Sequence, residues 1–131
     1  MIVSGKNSGG YRVDLQAGAH ALQSDRSVAD GGDDAGPTPH ELLLGSLAAC
    51  KVITVQMYAQ RKGWPLAGVN ISLAYKRVNG ERIVEQFDGE IGFVGDLSDE
   101  QRQRLLEIAA KCPVHAVLVN QVEINIALMA A

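Results

Sequence analysis

The chain has 131 residues, 47% hydrophobic, 21% charged and 5% aromatic, with a formal charge of −3 at pH 7. That length and balance predict a single soluble domain, residues 1–131, whose core is built mostly from Ala, Val, Leu and Ile. With no basic surplus to neutralise phosphates, a nucleic-acid-binding role has little electrostatic support.

The opening "MIVSGKNSGG" is too polar for the apolar stretch of a signal peptide. The longest apolar region, residues 42–59, is interrupted by Ser46, Lys51, Thr54 and Gln56 and reads as short of a membrane span. A cytoplasmic protein is expected. "SGKNSGG" is turn-like, and in "YRVDLQA" the residues Tyr11, Val13, Leu15 and Ala17 alternate with Arg12, Asp14 and Gln16. This period of two predicts a hairpin within residues 1–17. "AHALQSD" adds a third short strand, and "DGGDDAGPTP", residues 30–39, reads as a loop.

Thr38, Pro39 and Glu41 then make a helix start: an N-cap, a first-position proline and a capping-box acid. The helix is predicted to run to about Arg61, and most of its circumference is apolar. Such a helix must be covered on several sides, which points to a partner subunit. "GVNISLAYKRV" places Val69, Ile71, Leu73 and Tyr75 on one face, "NGE" turns, and "RIVEQFDGEIGFVG" returns as a second strand. "LSDEQRQRLLEIAAKC" is an amphipathic helix with a Ser98–Gln101 capping box. A short helix from Pro113 follows. "QVEINIAL" is predicted to close the chain as a strand with Val122, Ile124, Ile126 and Leu128 inward. Strands that come in hairpins make the sheets mainly antiparallel, hence an α+β fold.

Two cysteines are not a disulfide framework, and a reducing compartment disfavours a lasting bridge. Cys112 precedes Pro113, which pushes it out of the helical conformation and makes it the cap of "PVHAVLVN". Free N–H groups and the positive end of the helix dipole then point at its sulfur, a setting that favours a thiolate. His115, one turn on, can add to it. Cys50 lies mid-helix, where the backbone is already paired, so any activating cation must come from elsewhere. The plain alternative is that each is a buried small apolar residue. Cys112 and His115 have C-x-x-H spacing, and His20, His40 and Cys50 could extend it. Only one close pair exists, however, where structural zinc usually wants two, so no metal is expected.

"GPTPHELLLGSLAAC" with the later "KCPVHAVLVNQVEINI" resembles the OsmC/Ohr family, the osmotically inducible protein C and organic hydroperoxide resistance proteins. The match extends over essentially the whole chain. The resemblance implies an intertwined homodimer whose antiparallel sheets enclose long central helices. It also implies a thiol peroxidase acting on organic or lipid hydroperoxides. By that likeness Cys50 is the peroxidatic thiol and Cys112 the resolving one, with no bound cofactor. The implied reductant is an external dithiol, typically a lipoyl group on a protein.

The likeness also exposes a departure. Peroxidases of the family carry a glutamate directly after the proline of the first motif, paired with an arginine from an N-terminal turn. Here that glutamate position is His40, with Glu41 one residue on, and the arginine position falls near Lys6, with Arg12 and Arg26 as other candidates. A lysine is a point charge without the fork that grips a carboxylate twice. Two alternatives to the enzyme therefore stand: an OsmC-like protein that binds a small apolar ligand, or one that senses redox state without turnover.

Overall fold

The computed structural model describes residues 1–130 and falls into two units, Met1–Gly45 and a second beginning at Ser46. In the first, β1 (Val3–Lys6), β2 (Val13–Ala17) and β3 (His20–Ser24) form an antiparallel sheet in the order β1-β2-β3. Val13, Leu15 and Ala17 are half-buried while Asp14 and Gln16 are exposed, the alternation read from the sequence.

The loop after β3 is more ordered than its composition suggests. A short 3-10 turn at Val28–Asp30 is capped by Ser27. The Asp25 side chain then collects the backbone N–H groups of Arg26 at 2.7 Å, Asp33 at 3.1 Å and Ala35 at 3.1 Å. Ser24 Oγ donates to the Pro37 carbonyl at 2.8 Å. The loop backbone runs so close that a Cβ on Gly36 would lie 2.3 Å from the Gln23 carbonyl oxygen. The carboxylate–amide bonds, that to Ala35 first, hold Asp25 below the ordinary aspartate value of 3.8, against the opposing effect of its burial.

Helix α1 (Pro39–Lys62) starts as the sequence predicts. Thr38 Oγ1 accepts from the Glu41 N–H at 3.2 Å, and Glu41 Oε1 accepts from the Thr38 N–H at 3.0 Å. In length and composition α1 is sufficient to cross a bilayer, with a mean hydropathy of 1.5 over its most apolar window, contrary to the sequence reading. Four scattered polar side chains do not reverse the average of a helix this rich in Leu, Val and Ile. The second unit accounts for part of that apolar surface by packing.

β4 (Leu66–Val78) and β5 (Val84–Gly95) form an antiparallel ribbon, with Ile71 opposite Ile91 and Tyr75 opposite Phe87. Gly89 is required there, since a Cβ would lie 2.2 Å from the Ser72 carbonyl oxygen. α2 (Asp99–Ala109) opens on the Ser98–Gln101 capping box, with both reciprocal bonds formed, and α3 (Pro113–Val119) follows with Cys112 as its N-cap. The core joins Val55 and Ala59 of α1, Leu66 of β4, and Leu105, Ile108 and Ala109 of α2. Trp64, Val69, Ile91, Phe93 and Leu97 pack around it. Arg104 Nε also donates to the Tyr58 hydroxyl at 3.2 Å, tying α2 to α1.

The expected final strand does not form. Residues 121–130 carry no strand, and Ile124, Ile126 and Leu128 are 78%, 91% and 99% exposed rather than inward. A period of two marks the faces of a strand, but the strand itself requires a neighbouring backbone to pair with. Among the described residues none pairs with this segment. The α+β class and the antiparallel sheets are as read from the sequence.

Candidate functional site

The turn around Cys112 is built locally. α2 ends at Ala109, and Cys112 adopts φ −73° and ψ 146°, the extended conformation that a following proline enforces. Pro113 occupies the first helical position, where its missing N–H removes nothing. The Cys112 sulfur accepts the His115 N–H at 3.4 Å, and the Cys112 carbonyl accepts from Ala116 at 3.2 Å. Sulfur thus takes the part that a serine or aspartate oxygen plays at other helix starts. Cys112 is 0% exposed.

Cys50 sits in the middle of α1, half-buried, and both cysteines are free thiols. At 3.6 residues per turn, positions 43, 46, 50, 53 and 57 share one stripe of α1. On that stripe Leu43, Ile53 and Met57 are exposed at 39%, 58% and 61%. Cys50, itself half-buried, shares that stripe with them. The opposite side of the helix carries the packed Val55 and Ala59.

Lys51, one residue on and about 100° around the helix, turns toward the packed side. Its Nζ donates to the Ala109 carbonyl at 2.8 Å and lies 2.9 Å from His115 Nδ1. An ammonium has donors and no acceptor, so Nδ1 must accept, which places the imidazole proton on Nε2. The Ala109 carbonyl belongs to the last turn of α2, where carbonyls lack helical partners and a cation is favoured. Sequence reasoning named His115 but missed Lys51, because its partners lie 58 and 64 residues away.

Lys51 also borders a cleft of about 200 Å³ between the β4–β5 ribbon and the end of α2. Its walls are mainly apolar, with Ile71, Leu73, Phe87, Ile91 and Leu106, and Glu90 adds a second charge.

His40 is exposed in the first turn of α1. The Glu41 carboxylate is engaged by the capping box, and the Thr38 N–H holds its pKa below the ordinary glutamate value. Lys6 ends β1, opposite Asp14. Arg12 lies 3.5 Å from Asp33, and the Arg26 guanidinium stacks over the Tyr11 ring at 5.1 Å. All three cations belong to the first unit. No group of three or more His, Cys, Asp or Glu side chains gathers into a metal-binding cluster among the described residues.

Residues 31–127 match the family of OsmC-like proteins. The chain belongs to that family. The match takes in α1 with Cys50 and the Cys112–His115 turn. Solved structures share the fold at low identity. An OsmC-like protein from Mycoplasma pneumoniae is 16% identical, with a TM-score of 0.76 over 89% of this chain and 85% of the other. The organic hydroperoxide resistance protein OsmC from Legionella pneumophila is 17% identical, with a TM-score of 0.69 over 90% and 88%. The organic hydroperoxide resistance protein OhrB of Bacillus subtilis is 17% identical, with a TM-score of 0.67 over 93% and 92%. Among curated proteins none matches.

Proposed function

We propose that this OsmC-like protein is a two-cysteine hydroperoxide reductase acting in the cytoplasm as a homodimer. The observation that carries the reading is the pair of free thiols in the two family motifs, Cys50 mid-way along α1 and Cys112 at the cap of α3. The Cys50 thiolate attacks the outer oxygen of an organic hydroperoxide, the O–O bond breaks, and the leaving alkoxide takes a proton to become an alcohol. Cys50 is then a sulfenic acid. The Cys112 thiolate attacks that sulfur and expels hydroxide, leaving a Cys50–Cys112 disulfide. An external dithiol, a lipoyl group on a protein being one such reductant, restores both thiols by exchange and is itself oxidised.

Two exposed apolar features support the homodimer: the Leu43–Ile53–Met57 stripe and the alternating tail Val122–Leu128. A second copy that covers the stripe and pairs with the tail would satisfy both. Dithiol-dependent turnover of cumene hydroperoxide or a lipid hydroperoxide tests the enzyme. Absence of turnover with both dithiothreitol and a lipoylated reductant would sink it.

A second reading is favoured by the cleft beside Lys51 and by the Glu41 carboxylate being engaged in a cap. In it the protein holds a small apolar molecule without turnover. That reading predicts ligand stabilisation of the fold that survives Cys50→Ser.

A further inference from the structure

The two cysteines sit on elements far apart in sequence, and a single side chain bridges their supports. Lys51 directly follows Cys50 on α1, and its Nζ reaches both the carbonyl that ends α2 and the His115 ring on α3. His115 in turn gives its backbone N–H to the Cys112 sulfur. A chain of contacts therefore runs from the Cys50 turn through Lys51 and His115 to Cys112. The core contacts between α1 and α2, by contrast, lie one turn or more beyond, at Val55 and Ala59.

We propose that Lys51 is a positioning residue: it clasps the Cys-Pro-Val-His turn against the Cys50 turn and so aligns the two thiols for disulfide closure. The proposal deepens the two-cysteine reading and rests on it. The ammonium holds the turn at two points, one on the end of α2 and one on α3. Rotation of the His115 ring would give up its 2.9 Å contact with the ammonium in this half-buried site. His115 is held with its proton on Nε2, and its backbone keeps the Cys112 sulfur in the cap. Lys51 itself touches no reacting atom.

Closure can be followed without a hydroperoxide, by mixing the reduced protein with dithiodipyridine. The first thiol displaces one thiopyridone and forms a mixed disulfide. The second thiol attacks the protein sulfur of that disulfide, forms Cys50–Cys112 and releases the second thiopyridone. Two thiols are oxidised and one reagent disulfide is reduced. In Lys51→Met the first release is expected at the wild-type rate and the second slowed about tenfold, comparable to losing the alignment of one hydrogen bond. Long-range proton–nitrogen NMR is expected to show His115 as the Nε2–H tautomer in the wild type and as a mixture in Lys51→Met.

His115→Ala serves as a second route to the same slowing should Lys51→Met not fold. His115→Asn places an oxygen near the position of Nδ1 and is expected to recover most of the rate. Closure at the wild-type rate in both Lys51→Met and His115→Ala overturns the proposal, as does slowed closure with the His115 tautomer unchanged in Lys51→Met. A wild type that takes two pyridyl groups and never closes overturns both the clasp and the two-cysteine cycle. Closure that depends on Lys51, in a protein that turns over no hydroperoxide, supports the clasp and removes only the peroxidase.

Discussion

The turn at Cys112 and the helix turn at Cys50 are made in opposite ways. Around Cys112 the determinants are neighbours in sequence: Pro113 fixes the conformation and the His115 N–H meets the sulfur. Around Cys50 almost nothing is local. Its helix backbone is already paired, its side chain is half-buried, and the polar contact beside it reaches 58 and 64 residues away. A thiol built from its own backbone can be read from a few letters, whereas one built by packing depends on the rest of the fold.

Leu105→Ala tests the packed side of that contrast and carries the largest expected effect. Leu105 is 0% exposed between α1 and α2. Removing three buried carbons should cost about 2–5 kcal/mol in denaturant unfolding. It should also slow Cys50–Cys112 closure, because α2 leads directly into the Cys112 turn. Unchanged closure in the folded variant would break the claim that packing sets the Cys50 side.

Ser98→Ala probes the local side and should cost about 1 kcal/mol, since the Gln101 N–H loses its Ser98 Oγ acceptor at the exposed start of α2. Closure should stay near the wild-type rate, because the Cys112 turn is made at the other end of that helix. Comparable slowing in Ser98→Ala and Leu105→Ala would erase the distinction.

Asp25 shows the local device with a carboxylate in place of sulfur. Its pKa is depressed in the folded state, so its contribution to stability is present above the ordinary value of 3.8 and is lost as pH falls through the lower folded value. Asp25→Asn should destabilise the fold at neutral pH and flatten the acid limb of a stability–pH profile. An acid limb as steep as that of the wild type would count against the amide clamp.

Ile124→Asp has the smallest expected effect on the single chain, because Ile124 is 78% exposed there. The same change should shift the sedimentation profile from dimer toward monomer. A dimer that tolerates it would remove the tail from the proposed interface.

The legible part of the molecule follows the same division. The Thr38 and Ser98 capping boxes, the Pro113 helix start and the alternation of β2 and β4 are local, and they stand where the sequence places them. The segment "QVEINIAL" has strand periodicity but no backbone to pair with among the described residues, so its pattern does not become a strand. The loop from residue 30 reads as irregular by composition, and the Asp25 clamp that orders it begins five residues earlier. Lys51 reads as an interruption of an apolar helix. Its position on the packed side becomes meaningful only once α2 and α3 lie beside it. Glu41 satisfies two sequence patterns at once, a cap and a displaced family glutamate, and in the structure its carboxylate serves the cap.

The central claim is that Cys50 and Cys112 form one redox pair. It is tested most directly by adding one equivalent of cumene hydroperoxide to the reduced protein and mapping its thiols by non-reducing peptide mass spectrometry. The account predicts consumption of the hydroperoxide and an intrachain Cys50–Cys112 disulfide, with Cys112→Ser stopping at a dimedone-reactive Cys50 sulfenic acid. Unconsumed hydroperoxide with both thiols still free would contradict it.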